Sequence, residues 1–276
     1  MFDVAPLAPP SPDAQAALGA LEQWVRASFG ISFTADQRGT FEARIGGLCR
    51  EVGCDAPRLL ARLAAGDRDA TLKLAEAVST NHTMFFREEE VFAYLAREIA
   101  PQLPAGELRL WSAAASSGDE ACSLAITFLE RLGAAAGTQV KILGTDLSER
   151  QVRAAEQGVY PLTQLQRLSP ERRRRWFRPA GLGQFQVVPE VRGMCTFRRM
   201  NLTQLPWPFE QRFHVVFLRN VLYYFSPSTR RAVVEACFDV VEPGGWLITS
   251  LTEPMLDLVT RWTPVRPGVF RRGGAT

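Results

Sequence analysis

Apolar residues recur every three or four positions across residues 13–78, which is the spacing of helices that bury one face. The first such stripe contains Leu18, Leu21, Val25 and Phe29, and it is followed by Gly30. Three further stripes end near Gly53, at Gly66 and at Val78. Because no strand pattern interrupts them, we predict a small helical bundle, with another helix at about 88–100.

Short apolar strands alternate with helices after residue 104. The predicted strands are Leu108–Trp111, Val140–Thr145, Phe213–Leu218 and Trp246–Leu251, and the predicted helices are Ser123–Leu132, Glu149–Gln157 and Arg230–Val241. This alternation predicts a mostly parallel α/β sheet. Residues 160–200 interrupt it with QFQVV and CTFRRM, which we interpret as an antiparallel insertion at about 180–200. The expected domains are therefore 13–95 and 104–276.

The composition narrows the class of protein. Hydrophobic residues make up 46% of the 276 residues, as in a globular protein with a core. No apolar run approaches the roughly 20 residues of a membrane span. The first dozen residues have neither a basic start nor an apolar run, so we expect a disordered tail rather than a secretory signal. Five scattered cysteines without a CxxC predict free thiols, and two unpaired histidines argue against a metal site.

Charge is distributed unevenly along the chain. Residues 166–200 contain nine arginines and two glutamates, whereas residues 1–100 contain ten basic and fourteen acidic side chains. The run ERRRRWFR at 171–178 fits a solvated helix face, a docking surface for an acidic partner, or an RNA contact. The lack of interleaved exposed aromatic residues argues against RNA.

Small residues fill the run WSAAASSGDE at 111–120, between a predicted strand and a predicted helix. Such a turn lets the backbone approach a ligand, and the helix that follows directs its N–H groups towards it. The turn therefore predicts a nucleotide-like ligand. The alternative is a small-residue loop packed under a neighbouring helix. There is no GxGxxG, so a nicotinamide dinucleotide is not the first choice.

Polar residues also follow two other predicted strands. Asp146 could accept hydrogen bonds from a ribose diol, or either Asp146 or Ser148 could cap the next helix. The strand FHVVFL brings Arg219 to the carboxyl edge of the sheet. The following Tyr224 could face a cation such as a sulfonium, whereas we expect Tyr223 only to pack.

Six runs in this chain resemble, in order, those of the CheR family. They are NHTMFFRE, LRLWSAAASSGDEACSLAI, GTDLS, MNL, LRNVLYYF and EPGGWLI. Members of that family are S-adenosylmethionine-dependent methyltransferases that methylate glutamates of bacterial chemoreceptors. The resemblance covers residues from about 15 to 255. It implies an α/β fold: a Rossmann-like methyltransferase domain with a small antiparallel β insertion, preceded by an all-α N-terminal domain.

The resemblance also implies site residues. The implied contacts of S-adenosyl-L-methionine, and of its product S-adenosyl-L-homocysteine, are Asn81, Thr83, Arg87, Glu120, Asp146, Asn201, Leu202, Leu218 and Arg219. Tyr224 is implied to lie near the transferred methyl group, and Arg87 and Tyr224 are our candidate catalytic residues. The partner implied is the acidic, helical cytoplasmic region of a chemoreceptor. We expect a cytoplasmic monomer that needs no metal, nucleic acid or membrane insertion.

Two segments depart from the family pattern. Ala121-Cys122 stands where many relatives have Pro-Tyr, and Ser250–Glu253 stands where they have Gly-His-Ser-Glu. A substrate glutamate is already ionised at pH 7, so the reaction needs no base, and Arg87 could hold the carboxylate of either the substrate or the cofactor. The altered Ser250–Glu253 segment keeps a second hypothesis open, a regulatory module that binds the cofactor without turnover. A third is methylation of another protein or a small molecule.

Overall fold

The computed structural model describes residues 12–253, 255 and 260–273. Of the predicted N-terminal tail, residues 1–11 lie outside this part. The chain divides into two compact units, the first ending at Ser79 and the second beginning at Thr80. No helix in the described ranges is long and apolar enough to cross a membrane.

The first unit is helical, which confirms the predicted fold of the N-terminal region. Its main helices are α1 (Pro12–Phe29), α2 (Arg38–Val52), α3 (Ala56–Ala64) and α4 (Arg68–Val78). The side chains of Asp55 and Asp67 cap α3 and α4 by accepting hydrogen bonds from backbone N–H groups. The predicted apolar stripes supply the buried side chains, among them Leu21, Phe41 and Leu59.

The second unit is built on a mixed sheet. Its strands are β1 (Leu108–Ser112), β2 (Val140–Asp146), β3 (Val159–Pro161), β4 (Phe177–Pro179), β5 (Gln184–Val187), β6 (Cys195–Arg199), β7 (Phe213–Phe217), β8 (Val241–Ile248), β9 (Thr263–Arg266) and β10 (Val269–Arg271). Within the described residues, seven strands form one sheet in the order β6-β2-β1-β7-β8-β10-β9. The first five of these strands run parallel, and β10 pairs antiparallel with β8 and β9.

Helices cover both faces of this sheet. The helices of this unit are α5 (Glu89–Tyr94), α6 (Asp119–Leu132), α7 (Ala136–Gln139), α8 (Glu149–Gln157), α9 (Pro170–Trp176), α10 (Pro189–Arg192) and α11 (Pro227–Val240). Alternate residues of β7 enter two different cores. Val215 and Phe217 pack with α5 and α6, whereas Val216 packs with α11. The predicted α/β fold, with a parallel sheet buried on both sides, is therefore confirmed.

The antiparallel insertion is real, but its composition differs from our prediction. Strands β3, β5 and β4 form a separate three-stranded antiparallel sheet within the described residues. The assignment of CTFRRM to this insertion was wrong, because β6 pairs in parallel with β2 at the edge of the main sheet. In β6 only Phe197 is buried, so this strand has the one-sided pattern that is also typical of a hairpin strand.

Two further elements differ from the sequence prediction. The helix predicted at about 88–100 begins as α5 and continues as a π-helical turn over Leu95–Ile99. Pro243-Gly244-Gly245 forms an irregularity inside β8 rather than a sharp turn before it. A Cβ at Gly245 would lie 2.8 Å from the carbonyl oxygen of His214 on the neighbouring strand, so only glycine allows this close approach.

Candidate active site

The turn between β1 and α6 lies at the carboxyl end of the parallel strands, where α/β proteins bind ligands. The N–H of Ala115 donates to the Thr145 carbonyl at 2.8 Å. Gly118 has a φ of 89°, and a Cβ there would lie 2.8 Å from the Cβ of Ala155 on α8. Close packing against a helix, our alternative explanation of the small residues, therefore accounts for Gly118.

Asp146, at the end of β2, faces that turn. Its Oδ2 accepts from the Ser116 N–H at 2.8 Å, and its Oδ1 accepts from the Ser148 N–H at 2.9 Å. Ser148, not Asp146, caps α8, since its side chain accepts from the Gln151 N–H. Burial raises the pKa of Asp146, and the backbone N–H groups oppose that rise. Each carboxylate oxygen has a second lone pair, so Asp146 can still accept hydrogen bonds from a ligand.

Asn201 and Leu202 follow β6, the strand beside β2. The N–H of Met200 donates to the Asp146 carbonyl at 2.8 Å, which brings this segment next to Asp146. Oδ1 of Asn201 accepts from the N–H and the hydroxyl of Thr203, at 3.0 and 2.8 Å. Leu202 is buried. The segment is therefore fixed locally beside the Asp146 carboxylate.

Arg219, just after β7, is buried among carboxylates. Its side chain is 1% exposed, and its two Nη atoms lie 2.9 Å from Glu120 Oε2 and 3.2 Å from Glu88 Oε2. Nη2 also donates to the Arg87 carbonyl at 2.6 Å. The second oxygen of Glu120 accepts from the Ser112 hydroxyl at 2.8 Å. The two carboxylates offset the cost of burying the guanidinium and connect α6, β7 and the residues before α5.

The segment 81–87 is anchored by aromatic packing. The ring of Phe85 meets that of Tyr160 edge to face, with centroids 4.8 Å apart. The Asn81 carbonyl accepts a hydrogen bond from the Ser116 hydroxyl at 3.4 Å, so the segment lies against the turn after β1. Asn81 and Thr83 are half-buried.

Arg87 and the two tyrosines after β7 are further candidate residues. Nη1 of Arg87 donates to the His82 carbonyl at 2.9 Å. The rings of Tyr223 and Tyr224 have centroids 4.3 Å apart. Burial and a side-chain hydrogen bond with Tyr224 raise the pKa of Tyr223, and the positive charge of Arg87 opposes the rise. Tyr223 is 45% exposed, so its ring packs against Tyr224 at the surface rather than in a core.

Left-handed backbone conformations recur around these residues. In the described part of the chain, the non-glycine residues with positive φ are Phe86 (51°), Glu88 (58°), Ser116 (48°) and Asn220 (58°). Such conformations cost about 1–3 kcal/mol each for non-glycine residues. Their concentration in loops next to the predicted site residues is typical of functional sites.

The predicted site residues fall into two groups. Asp146 lies with the Asn201-Leu202 segment and the Ser116 turn, whereas Arg219 links Glu120 directly to the Arg87 main chain. Leu218 is fully buried at the end of β7, and its N–H donates to the Ile248 carbonyl. The structure does not bring its side chain to the surface of either group. Among the described residues, no three His, Cys, Asp or Glu side chains are grouped as metal ligands would be.

Sequence reasoning missed three polar residues in this region: Glu88, Ser112 and Glu253. Glu88 contacts Arg219 and accepts from the Ser250 hydroxyl at 2.6 Å. Glu253 accepts from four backbone N–H groups. Two of them could have been found from the sequence. Glu88 ends the run NHTMFFRE, and Glu253 is the glutamate that the altered segment Ser250–Glu253 shares with the family pattern.

Comparison with known proteins gives a consistent result. Residues 81–267 match the family model described as CheR methyltransferase, SAM binding domain. The chemotaxis protein methyltransferase of Vibrio parahaemolyticus is 36% identical over 220 residues, covering 77% of this chain and 80% of that protein. The chemotaxis protein methyltransferase of Salmonella typhimurium is 33% identical over 213 residues, covering 76% of this chain and 73% of that protein.

Solved structures add little. The N-methyltransferase NodS from Bradyrhizobium japonicum, in complex with S-adenosyl-l-homocysteine, covers 65% of this chain and 71% of its own, with 14% identity and a TM-score of 0.37. That score is too low to carry an argument. The family model and the curated relatives are sufficient: the chain belongs to the CheR methyltransferase family, and residues 81–267 match that family's S-adenosylmethionine-binding domain.

Proposed function

We propose that this protein transfers the methyl group of S-adenosylmethionine to glutamate side chains of chemoreceptors, forming methyl esters. One observation carries the proposal: predicted site residues from three segments meet in one ion network, in which Arg219 pairs with Glu120 and donates to the carbonyl of Arg87. The fork of Arg87 can bind a carboxylate, and the faces of the tyrosine rings attract a cation such as the sulfonium. The relatives named chemotaxis protein methyltransferases support the choice of chemoreceptors as substrates.

The residues present fit S-adenosylmethionine. Its ribose diol and ammonium group need acceptors, and the partly buried carboxylates of Asp146 and Glu120 retain lone pairs after their existing bonds. Ser116 and its neighbours bring bare backbone to the same edge of the sheet. The residues that we propose to hold the cofactor are Asn81, Thr83, Arg87, Glu120, Asp146, Asn201, Leu202, Leu218 and Arg219. Because the side chain of Leu218 is buried, this residue would contribute only its main chain.

When bound, S-adenosylmethionine supplies a methyl carbon that a carboxylate oxygen attacks in line, so that the O–CH₃ bond forms as the S–CH₃ bond breaks and a neutral thioether leaves. The attacking carboxylate is already ionised, since the pKa of a glutamate is about 4.3. The protein therefore has to orient the reacting groups rather than move a proton. Orientation of this kind can contribute about 7–11 kcal/mol.

Arg87 is the residue that we propose to orient a carboxylate. One of its nitrogens is used by the His82 carbonyl, and the other N–H groups of the fork can bind a carboxylate bidentately. Its target is the substrate glutamate or the carboxylate of the cofactor. Tyr224, half-buried and adjacent to Tyr223, is the second proposed catalytic residue.

The proposed partner is the acidic helical region of a chemoreceptor. In this proposal the protein binds that region in the cytoplasm, as a monomer. The arginine-rich helix α9 divides into two kinds of residue. Arg172 is held by ion pairs with Glu89 and Glu130, whereas Arg174 and Arg175 are exposed. The exposed arginines match a negatively charged helix.

Methyl transfer from labelled S-adenosylmethionine to membranes containing the cognate chemoreceptors tests this function. We expect label in the receptor that is released as methanol by base, and no label when the receptor's methylated glutamates are replaced by alanine. Base-stable label would instead mean a different acceptor. Cofactor binding without any transfer would support the regulatory module.

A further inference from the structure

The segment that carries Tyr224 lacks a local cap. It follows β7 with Asn220 in a left-handed conformation, at a φ of 58°, and then forms one 3-10 turn over Leu222–Tyr224. The residue before this turn, Val221, provides no side-chain cap. The free N–H groups at the start of such a turn need a partner from elsewhere in the fold.

Glu253 is that partner. Its Oε1 accepts from the Val221 and Leu222 N–H groups at 2.7 and 2.6 Å, and its Oε2 accepts from the Asn220 N–H at 2.9 Å. Glu253 is only 5% exposed. Burial raises the pKa of its carboxyl, and these N–H groups oppose the rise. Bonds of backbone N–H groups to a carboxylate are shorter and stronger than neutral ones, so one side chain fixes three consecutive peptide groups.

The same carboxylate also fixes the end of β8. Its Oε2 accepts from the Ser250 N–H at 3.1 Å, and the Ser250 hydroxyl donates to Glu88 at 2.6 Å. Glu88 in turn follows Arg87 and pairs with Arg219. The position of the tyrosine segment is thus connected to that of Arg87 through a continuous set of hydrogen bonds.

We propose that Glu253 is a positioning residue for methyl transfer: by binding the peptide groups of residues 220–222, it holds Tyr224 against the reacting groups. This inference rests on the proposed function, because it assigns Tyr224 to that reaction. It gives a role to the altered segment Ser250–Glu253, because Glu253 accepts these hydrogen bonds.

The test compares Glu253→Gln with Glu253→Asp and with a matched control. An amide has a single acceptor oxygen and its NH₂ group opposes the N–H donors, so kcat per cofactor-binding site should fall about 100-fold in Glu253→Gln. Affinity for S-adenosylhomocysteine, measured by calorimetry, should change little. Glu253→Asp keeps the charge and should recover part of kcat. Asp67→Asn makes the same exchange at the N-cap of α4, where it breaks the ion pair with Arg62, and should lower only the melting temperature.

Two results would overturn the inference. One is a kcat per binding site in Glu253→Gln equal to that of the wild type. The other concerns the wild-type protein, and so does not depend on the variant folding: hydrogen exchange at the Val221 and Leu222 amides as fast as in an open loop. Absence of methyl transfer by the wild type would count against the proposed function alone, since the exchange experiment needs no substrate.

Discussion

The loops at the carboxyl ends of the strands form two sides, and different interactions hold each side in place. The first side comprises the turn after β1, the end of β2 and the segment after β6, and main-chain donors hold it: Asp146 accepts from the backbone N–H groups of Ser116 and Ser148. The second side comprises the segments after β7 and β8 with residues 87 and 88. Buried charges hold it, namely Arg219 with its carboxylates and Glu253 with its four N–H groups.

The difference suits two tasks. Loops held by their own backbone leave the side-chain oxygens of Asp146 able to accept a ligand's hydrogen bonds. Loops held by buried ions are rigid but depend on every member of the network, because losing one member leaves an unpaired charge. We therefore expect the first side to tolerate side-chain substitution with modest losses of stability, and the second to be sensitive.

The largest expected effect is on the second side. Arg219→Ala removes the cation between Glu88 and Glu120 and should lower the free energy of unfolding by about 3–5 kcal/mol. The control is Arg261→Ala, since Arg261 is half-exposed and pairs with Glu235 and Asp239. Its loss should cost no more than about 1 kcal/mol. Urea denaturation measures both, and equal losses would contradict the dependence of the second side on its buried charges.

Arg87→Ala should abolish most activity without unfolding the protein. Losing one charged group that stabilises the reacting centre typically costs about 100- to 1,000-fold in rate. A rise in KM for the receptor would place the substrate carboxylate on Arg87, and a rise in Kd for S-adenosylmethionine would place the cofactor there. Arg153→Ala, on the exposed face of α8, is the control. Wild-type turnover in Arg87→Ala would exclude the residue from catalysis.

A titration sharpens the comparison on the first side. Burial raises the pKa of Asp119 to about 6, against hydrogen bonds from Ser117 and Gln164. Between pH 4 and 6 the folded state then binds more protons than the unfolded state. The contribution of Asp119 to the free energy of unfolding therefore falls as the pH rises through that range, by about 2–3 kcal/mol. Asp119→Asn should remove this dependence. Identical pH profiles of unfolding for the variant and the wild type would contradict the assignment.

The smallest expected effect separates the two tyrosines. Tyr224→Phe should lower kcat about tenfold while leaving the affinity for S-adenosylmethionine nearly unchanged, because a group acting mainly in the transition state changes kcat rather than binding. Tyr223→Phe removes the partner hydroxyl and is the matched comparison. Parallel losses of turnover and cofactor affinity in Tyr224→Phe would exclude a catalytic role.

Much of the fold could be predicted because its signals are local. The stripes of the first unit and the strands β1 and β7 follow directly from the spacing of apolar residues, and the structure places them within a residue or two. The CTFRRM strand was misassigned because parallel and antiparallel edge strands share one pattern. The site's ion network was not predictable in this way, since Glu88 meets Ser250 and Glu253 meets Asn220 across long stretches of chain. The roles of the ligand-binding residues stay predictions.

The left-handed residues Phe86, Glu88, Ser116 and Asn220 have a consequence for engineering. A glycine at Ser116 or Asn220 would relieve conformational strain and raise the melting temperature. The same change would widen the range of conformations open to the loops that surround the reaction. Selection for thermal stability alone would therefore enrich for glycine at these positions and yield more thermostable proteins with a lower kcat.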